Sequence, residues 1–402
     1  MIADAIKRLE TLLAESEPPQ IECIVDEVII EEKVIEEILA LAAVPSEDNS
    51  DMQVVSASVI SYMTPLVADQ LCERELIPTL IAMVQNGDDH LQSMAVWNLA
   101  SVASWSDDLR LQIIESGQVE VVIDSTSKPE LAGDVALFLQ NLCSTALNFD
   151  KNLAKLMLAT AAAIVVESDD PQVVEAGCWT LESFSKRGDD DVIAIVAIEG
   201  LVDRLIHILR HGPLETQFPS LRTLANLMSG PARQCQVVVD AGVIPELGIL
   251  LHHPNPVMRK DSCWAVSNVC GGTKPQIQKV IDNGIFLSLA GLLIFGEYAT
   301  KQAALWAVAN VVMGTEASDH SLLTILSRQL IRGVVRLLRV DEDDGSLAIE
   351  ALEVVAQIVT RVPSIKPLVS EEGLAYLEEC QGEGEVKHLR RKAAKVIATL
   401  TS

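Results

Sequence analysis

Asparagine recurs in this chain at a fixed interval, and an amide repeated in one register points to a shared chemical task. It stands at Asn98, Asn141, Asn226, Asn268 and Asn310, with Ser183 in the remaining place. The steps from 98 through 141, 183, 226, 268 and 310 are 43, 42, 43, 42 and 42 residues. Four residues before this register stand Trp179, Trp264 and Trp306, with Met94, Leu137 and Arg222 in the other copies. Residues four apart share a face of a helix, so each Trp projects beside its partner. An amide offers both donor and acceptor, the complement of an extended peptide backbone of any sequence. Parallel indoles make slots for long aliphatic stems, and their ring faces favour a cation at the tip. The competing reading puts Trp and Asn in the core between repeats, where every buried Asn needs partners for both functions. The repetition favours a groove.

The elements that must carry these side chains repeat at the same step. Glu199-Gly200, Ala241-Gly242 and Asn283-Gly284 are each 42 residues apart, Gly117 lies two periods upstream of Gly200, and Gly373 opens a late, irregular copy. After each Gly comes an apolar helical phrase, such as Leu205-Ile-His-Ile-Leu209 or Leu247-Gly-Ile-Leu-Leu251, then a polar break, then the Asn-bearing helix. Gly230, Gly271 and Gly314 close the third helices, in the place where Gly follows a helix C-terminus. The predicted unit is therefore a short helix, a Gly turn, a second helix, a loop and a third helix. Three helices in about 42 residues are the pattern of armadillo-type repeats, none of which can bury its apolar face alone. The expected fold class is all-α: a right-handed superhelical α-solenoid of about nine to ten armadillo repeats in one domain, residues 1–402. Residues 1–21 form an N-terminal capping helix region, 22–363 the repeats and 364–402 a C-terminal capping repeat. Ile24 to Ala43 reads as amphipathic helix.

Composition narrows the function. The 402 residues carry 57 Asp plus Glu against 30 Lys plus Arg, a formal charge of −27. That balance disfavours nucleic acid, whose phosphates demand a cationic face, and anionic membrane surfaces. It favours a basic partner. The longest apolar run, Leu158 to Val166, is about half a membrane span, and the first residues show no secretory signal. Of the eight cysteines none is spaced C-x-x-C, and Cys143, Cys178, Cys263 and Cys270 sit in apolar helical runs as reduced thiols. The chain reads as soluble and intracellular, with 49% hydrophobic but only 3% aromatic residues, a composition suited to thin helical layers.

From Phe218 to Gly314 the chain resembles the importin-α family of nuclear import adapters. The resembling stretches include Pro219-Ser-Leu-Arg222-Thr-Leu-Ala-Asn226, Arg259-Lys-Asp261-Ser-Cys-Trp264-Ala-Val-Ser-Asn268 and Lys301-Gln-Ala-Ala-Leu-Trp306-Ala-Val-Ala-Asn310. Even the family's replacement of one central Trp by Arg is present, at Arg222. The resemblance implies two groove sites for basic peptides. The one nearer the C-terminus would use Trp264, Asn268, Trp306 and Asn310, with Asp261 as an anionic contact for lysine and Ser267, Arg222 and Asn226 beside it. There Ala303 and Ala232 replace acids with which the family grips basic side chains. In the earlier repeats Ser58, Met94 and Leu137 stand where the family has Trp, and Tyr62 for the first Asn, although Asn98 and Asn141 survive. The lysine slots there read as degraded, and Trp97, one position off the stripe, is either core or a shifted slot. Trp179 with Ser183 keeps an indole in mid-groove.

The resemblance further implies a cytoplasmic and nuclear location, importin-β and a recycling export factor as partners, no cofactor, no metal and no enzymatic activity. The family's basic arm for importin-β is not legible: residues 1–51 hold 14 acidic and 3 basic residues. Either it was removed or this is a divergent member without it. The alternative function is another armadillo scaffold, catenin-like or chaperone-like, with a non-basic partner. His252-His253 reads as a solvated pair lacking a third metal ligand, and Asp341–Gly345 as an exposed acidic loop in a poor register for calcium. Lys387–Lys392 reads as the polar face of the terminal repeat, with Leu389, Ala393, Val396 and Ile397 inward; the resemblance would place export-factor contacts there.

Overall fold

A computed structural model of the chain describes residues 2–29, 32–43, 50–145, 149–186, 195, 197–314, 324–339, 346–382 and 387–401. The Asp341–Gly345 loop lies outside the described residues. Two compact units divide at Leu201/Val202. Among the described residues there is no strand, and each unit is a stack of helices.

The first unit runs α1 (Ile2–Glu15), α2 (Pro18–Ile29), α3 (Glu32–Ala43), α4 (Ser50–Cys72), α5 (Leu76–Asn86), α6 (Asp89–Trp105), α7 (Asp107–Glu115), α8 (Val119–Asp124), α9 (Ala132–Leu142), α10 (Lys151–Glu167) and α11 (Pro171–Ser185). The expected amphipathic stretch from Ile24 to Ala43 is thus shared between two helices, α2 and α3. The third helices α1, α4, α6, α9 and α11 pack side by side in that order. Pro65 interrupts α4 and Val67 leaves helical geometry (φ −140°, ψ 35°), which separates a third helix from the short first helix of the next repeat.

The second unit runs α12 (Leu201–His211), α13 (Leu214–Ser229), α14 (Ala232–Asp240), α15 (Val243–Leu250), α16 (Pro256–Cys270), α17 (Lys274–Asp282), α18 (Ile285–Phe295), α19 (Tyr298–Gly314), α20 (Arg328–Arg336), α21 (Ser346–Arg361), α22 (Lys366–Gly382) and α23 (Lys387–Thr401). Here α13, α16, α19, α21 and α23 form the row of third helices. Ala393 and Val396 of α23 are buried and Ile397 is half-buried, as expected of a terminal repeat.

Local chemistry sets the boundaries. Asn255 accepts from the Val257 amide at 2.8 Å and Asp170 from the Gln172 amide at 2.9 Å, each followed by Pro at the first helical position. Between first and second helices the backbone turns left-handed at Gly242 (φ 90°) and Gly284 (φ 70°), and likewise at Gly117 and Gly200. One period before Gly117 a glutamate, Glu75, is held in the same conformation (φ 69°). One period after it stands Ala159, and there the chain does not turn at all: α10 runs on as one helix. Gly230, Gly271 and Gly314 close the third helices as expected, though without the left-handed turn. Gly230 and Gly271 have φ of −76° and −79°, so no left-handed cap is made, and Gly314 is the last residue of its helix. Gly373 opens nothing: it lies within α22, where a Cβ would meet Val335.

The core consists of Leu, Val, Ile and Ala with Phe138 and Phe184, and none of the five tryptophans is buried. Cys143, Cys178, Cys263 and Cys270 are buried and take part in no disulfide. Burial pushes Cys263 up to about 12 and Cys235 up to about 11. Cys23 is the exposed thiol.

Two outcomes follow for this scaffold. Gly242→Ala forces a Cβ into left-handed backbone and is expected to cost about 1 kcal/mol in denaturant unfolding, whereas Gly271→Ala, at an ordinary φ with no contact under 3.5 Å, is expected to be neutral or stabilising. Reaction of the native protein with an aromatic disulfide reagent is expected to label Cys23 first, with the buried thiols reacting only on unfolding.

Candidate functional site

In the second unit, adjacent helices α13, α16 and α19 bring together the residues that the repeat register singles out. Asn268 donates its Nδ2 to the carbonyl of Ala225, the residue before Asn226, at 2.8 Å. Asn310 donates likewise to the carbonyl of Ser267, the residue before Asn268, at 2.8 Å. Each Asn is therefore a rung fastening its helix to the preceding third helix. The buried-polar requirement is met by backbone from the neighbouring repeat, a supply that no single repeat reveals. Both side chains remain half-buried, so one amide hydrogen is committed to the scaffold while part of the amide still faces the surface.

The indoles stand beside these rungs. Trp264 is half-buried and Trp306 is 42% exposed. Trp306 is oriented by its Nε1, which donates to Glu350 Oε2 on α21 at 3.0 Å; the other carboxylate oxygen accepts from Gln302 at 3.3 Å. Glu350 thus supplies a carboxylate at this slot, where the position of Ala303 no longer can. Sequence reasoning missed it. The one available signal was its separation of 44 residues from the indole, close to one period. Arg222 takes the Trp place on α13, with its guanidinium over the Phe218 ring at 5.8 Å from the centroid. A fixed cation there disfavours a basic side chain at that rung.

Two residues expected at this surface lie beneath it. Asp261 is 4% exposed, with Oδ1 2.9 Å from Lys260 Nζ and Oδ2 enclosed without a hydrogen bond. Ser267 is 3% exposed and donates to the Trp264 carbonyl. Their place in the register carries them under the helix row, because a helix turned by packing buries the residues flanking its exposed stripe.

The first unit presents its residues differently. Asn141 repeats the rung, donating to the Ala100 carbonyl at 3.0 Å. Asn98 does not reach the surface. It is fully buried and its amide donates to Ser61 Oγ at 2.8 Å and to the Met94 carbonyl at 2.7 Å, which uses both hydrogens. Trp179 is half-buried, its Nε1 donating to Glu175 at 3.3 Å, with Ser183 half-buried one turn on. Trp97 is exposed and lines a groove of about 750 Å³ together with Tyr62, Met94 and Asp134, so it is not part of the core.

The architecture is that of an armadillo-repeat protein. Residues 189–229 and 231–271 match the model of the armadillo/beta-catenin-like repeat. Among curated proteins, importin subunit alpha-1b of Oryza sativa subsp. japonica is 25% identical over 57% of this chain and 45% of its own length. Importin subunit alpha-8 of Arabidopsis thaliana is 29% identical over 46% of this chain and 42% of its own. The chain spans about half the length of the curated relatives it matches. Among solved structures, an engineered protein matches with a TM-score of 0.82 at 21% identity, covering 100% of this chain and 95% of that one. A designed armadillo repeat protein in complex with peptide (KR)4 matches with a TM-score of 0.53 at 23% identity, covering 60% of this chain and 99% of that one.

The rung geometry has a stability consequence. Asn310→Ala removes one inter-repeat hydrogen bond and leaves the Ser267 carbonyl with its helical partner alone. Denaturant unfolding is expected to show a loss of about 1 kcal/mol.

Proposed function

We propose that the protein is an adapter that binds Lys/Arg-rich peptides of the nuclear localisation type, extended across α13, α16 and α19, and performs no chemistry on them. One observation carries this reading: Trp264 and Trp306 stand unburied at one register beside the rungs Asn268 and Asn310. Large apolar rings kept out of a core that has room for Phe138 and Phe184 serve something outside it. In the proposed complex the free part of each Asn amide holds the peptide backbone, the indoles flank lysine stems, and Glu350 attracts the charged tip. The charge of −27 draws such a ligand from a distance. Importin-like sequence over about half the chain supports the same ligand class. On this reading the protein works in cytoplasm and nucleus, and importin-β and the factor that exports importin-α are its further partners. Asp261 and Ser267 then act as supports beneath the groove.

The reading is tested by titrating a labelled Lys/Arg-rich peptide at low and at physiological salt. Affinity is expected to fall as salt screens the carboxylates. Trp264→Ala and Trp306→Ala are each expected to weaken binding about ten-fold, roughly 1.4 kcal/mol, with thermal melting confirming the fold. Unchanged affinity in both variants, or preference for an acidic peptide, overturns the assignment in favour of another armadillo scaffold role.

A further inference from the structure

The groove of about 750 Å³ in the first unit has a different chemistry from the rungs of the second. It lies on α4 and α6, with α1 and α2 at one side and Asp134 of α9 at the other. Its floor is apolar and aromatic: Tyr62 occupies a rung position, Met94 a Trp position, and Trp97 stands beside them. Its rim carries Glu10, Glu22 and Asp134. Backbone capture of the kind an asparagine row offers is missing from this floor. Tyr62 has no amide, and Asn98 is buried with both hydrogens spent. An inserted side chain is then the larger contact, beside the hydroxyls of Ser58, Ser61 and Ser93 and the His90 ring that also line the groove.

We infer that this groove is a separate binding site for a linear peptide carrying one bulky apolar residue, Phe or Leu, flanked by Lys or Arg. The apolar side chain seats against Tyr62, Met94 and Trp97, where burying its surface drives binding. The flanking cations meet Glu10, Glu22 and Asp134. Charge complementarity selects this occupant over an acidic or purely apolar one. Two of the carboxylates are already placed by the fold: Glu10 accepts from Ser58 at 3.3 Å, and Asp134 from Ser93 at 2.6 Å. Burial pushes the Asp134 carboxyl above the usual range, against the lowering effect of that hydrogen bond. Specificity for an anchor residue makes this site select peptides that a lysine slot ignores.

The test uses the full chain and two synthetic peptides, one with a single Phe between Lys/Arg pairs and one with Ser in its place, followed by fluorescence anisotropy. The Phe peptide is expected to bind about ten-fold tighter. Trp97→Ser is expected to erase that advantage and Asp134→Asn to weaken both peptides alike, while Trp264→Ala and Trp306→Ala leave the advantage intact. Met94→Arg, which fills the groove with a cation, gives a second route to the same loss, and melting curves confirm that each variant folds. Equal affinity of the two peptides overturns the inference, as does a Phe advantage that survives Trp97→Ser and Met94→Arg. Because these variants lie in the first unit, failure here leaves the basic-peptide reading of the second unit standing, and the reverse also holds.

Discussion

A three-helix repeat of about 42 residues is too thin to enclose its own apolar side chains, and every other feature of the protein answers that constraint. Within each unit the third helices lie against one another, and the core between them is only one side chain deep. Leu, Val, Ile and Ala fill such a layer, and two Phe are the largest rings it accepts in full. None of the five indoles is taken into that layer. The same constraint places polar side chains where two helices meet. Asn141, Asn268 and Asn310 each find a backbone carbonyl on the preceding third helix, 41 to 43 residues back. A ladder that could have been read as purely ligand-directed is also part of what sets the spacing of the repeats.

That dual use explains how one register supports two kinds of surface. In the second unit the rungs are half exposed, the indoles project beside them, and Glu350 orients Trp306 from the next helix. In the first unit the register is kept, but its members differ. Tyr62 replaces an amide, Met94 replaces an indole, and Asn98 turns inward to Ser61 and the Met94 carbonyl. The surface that remains is a groove lined by Tyr62, Met94 and Trp97, with Glu10, Glu22 and Asp134 among its acids. Exchange of a few side chains on an unchanged helix row is sufficient, because the row itself is held by the apolar layer behind it.

Electrostatics follow the same division between scaffold and surface. Several acids are spent on tying neighbouring repeats together: Glu246 accepts from Arg210 Nε at 2.9 Å, and Glu371 and Glu372 engage Arg328 and Arg332. The guanidinium groups hold both glutamates below the usual carboxylate range. With 57 acids against 30 Lys plus Arg, such pairing leaves a large excess of carboxylate. That excess is the long-range field felt by any ligand approaching the groove.

Much of this was legible in the linear chain. The 42-residue step, the three-helix unit, the all-α class, the turn glycines at 200, 242 and 284 and the Trp/Asn register all come from local pattern, since helical periodicity and left-handed turns are written in consecutive residues. The missing turn at Ala159, where two helices merge into α10, came only from the structure. What the chain alone left undecided was burial at each register position, because that depends on how a helix is rotated by its neighbours. Packing decided that Asn98, Asp261 and Ser267 lie beneath the surface while Asn268 and Asn310 stay at it. It decided that Trp97 lines a groove, and that Glu350, 44 residues away in the chain, reaches Trp306. Sequence determined which residues repeat; only tertiary contact, through carbonyls and carboxylates supplied by other repeats, determined which of them are spent on the fold and which remain for a ligand.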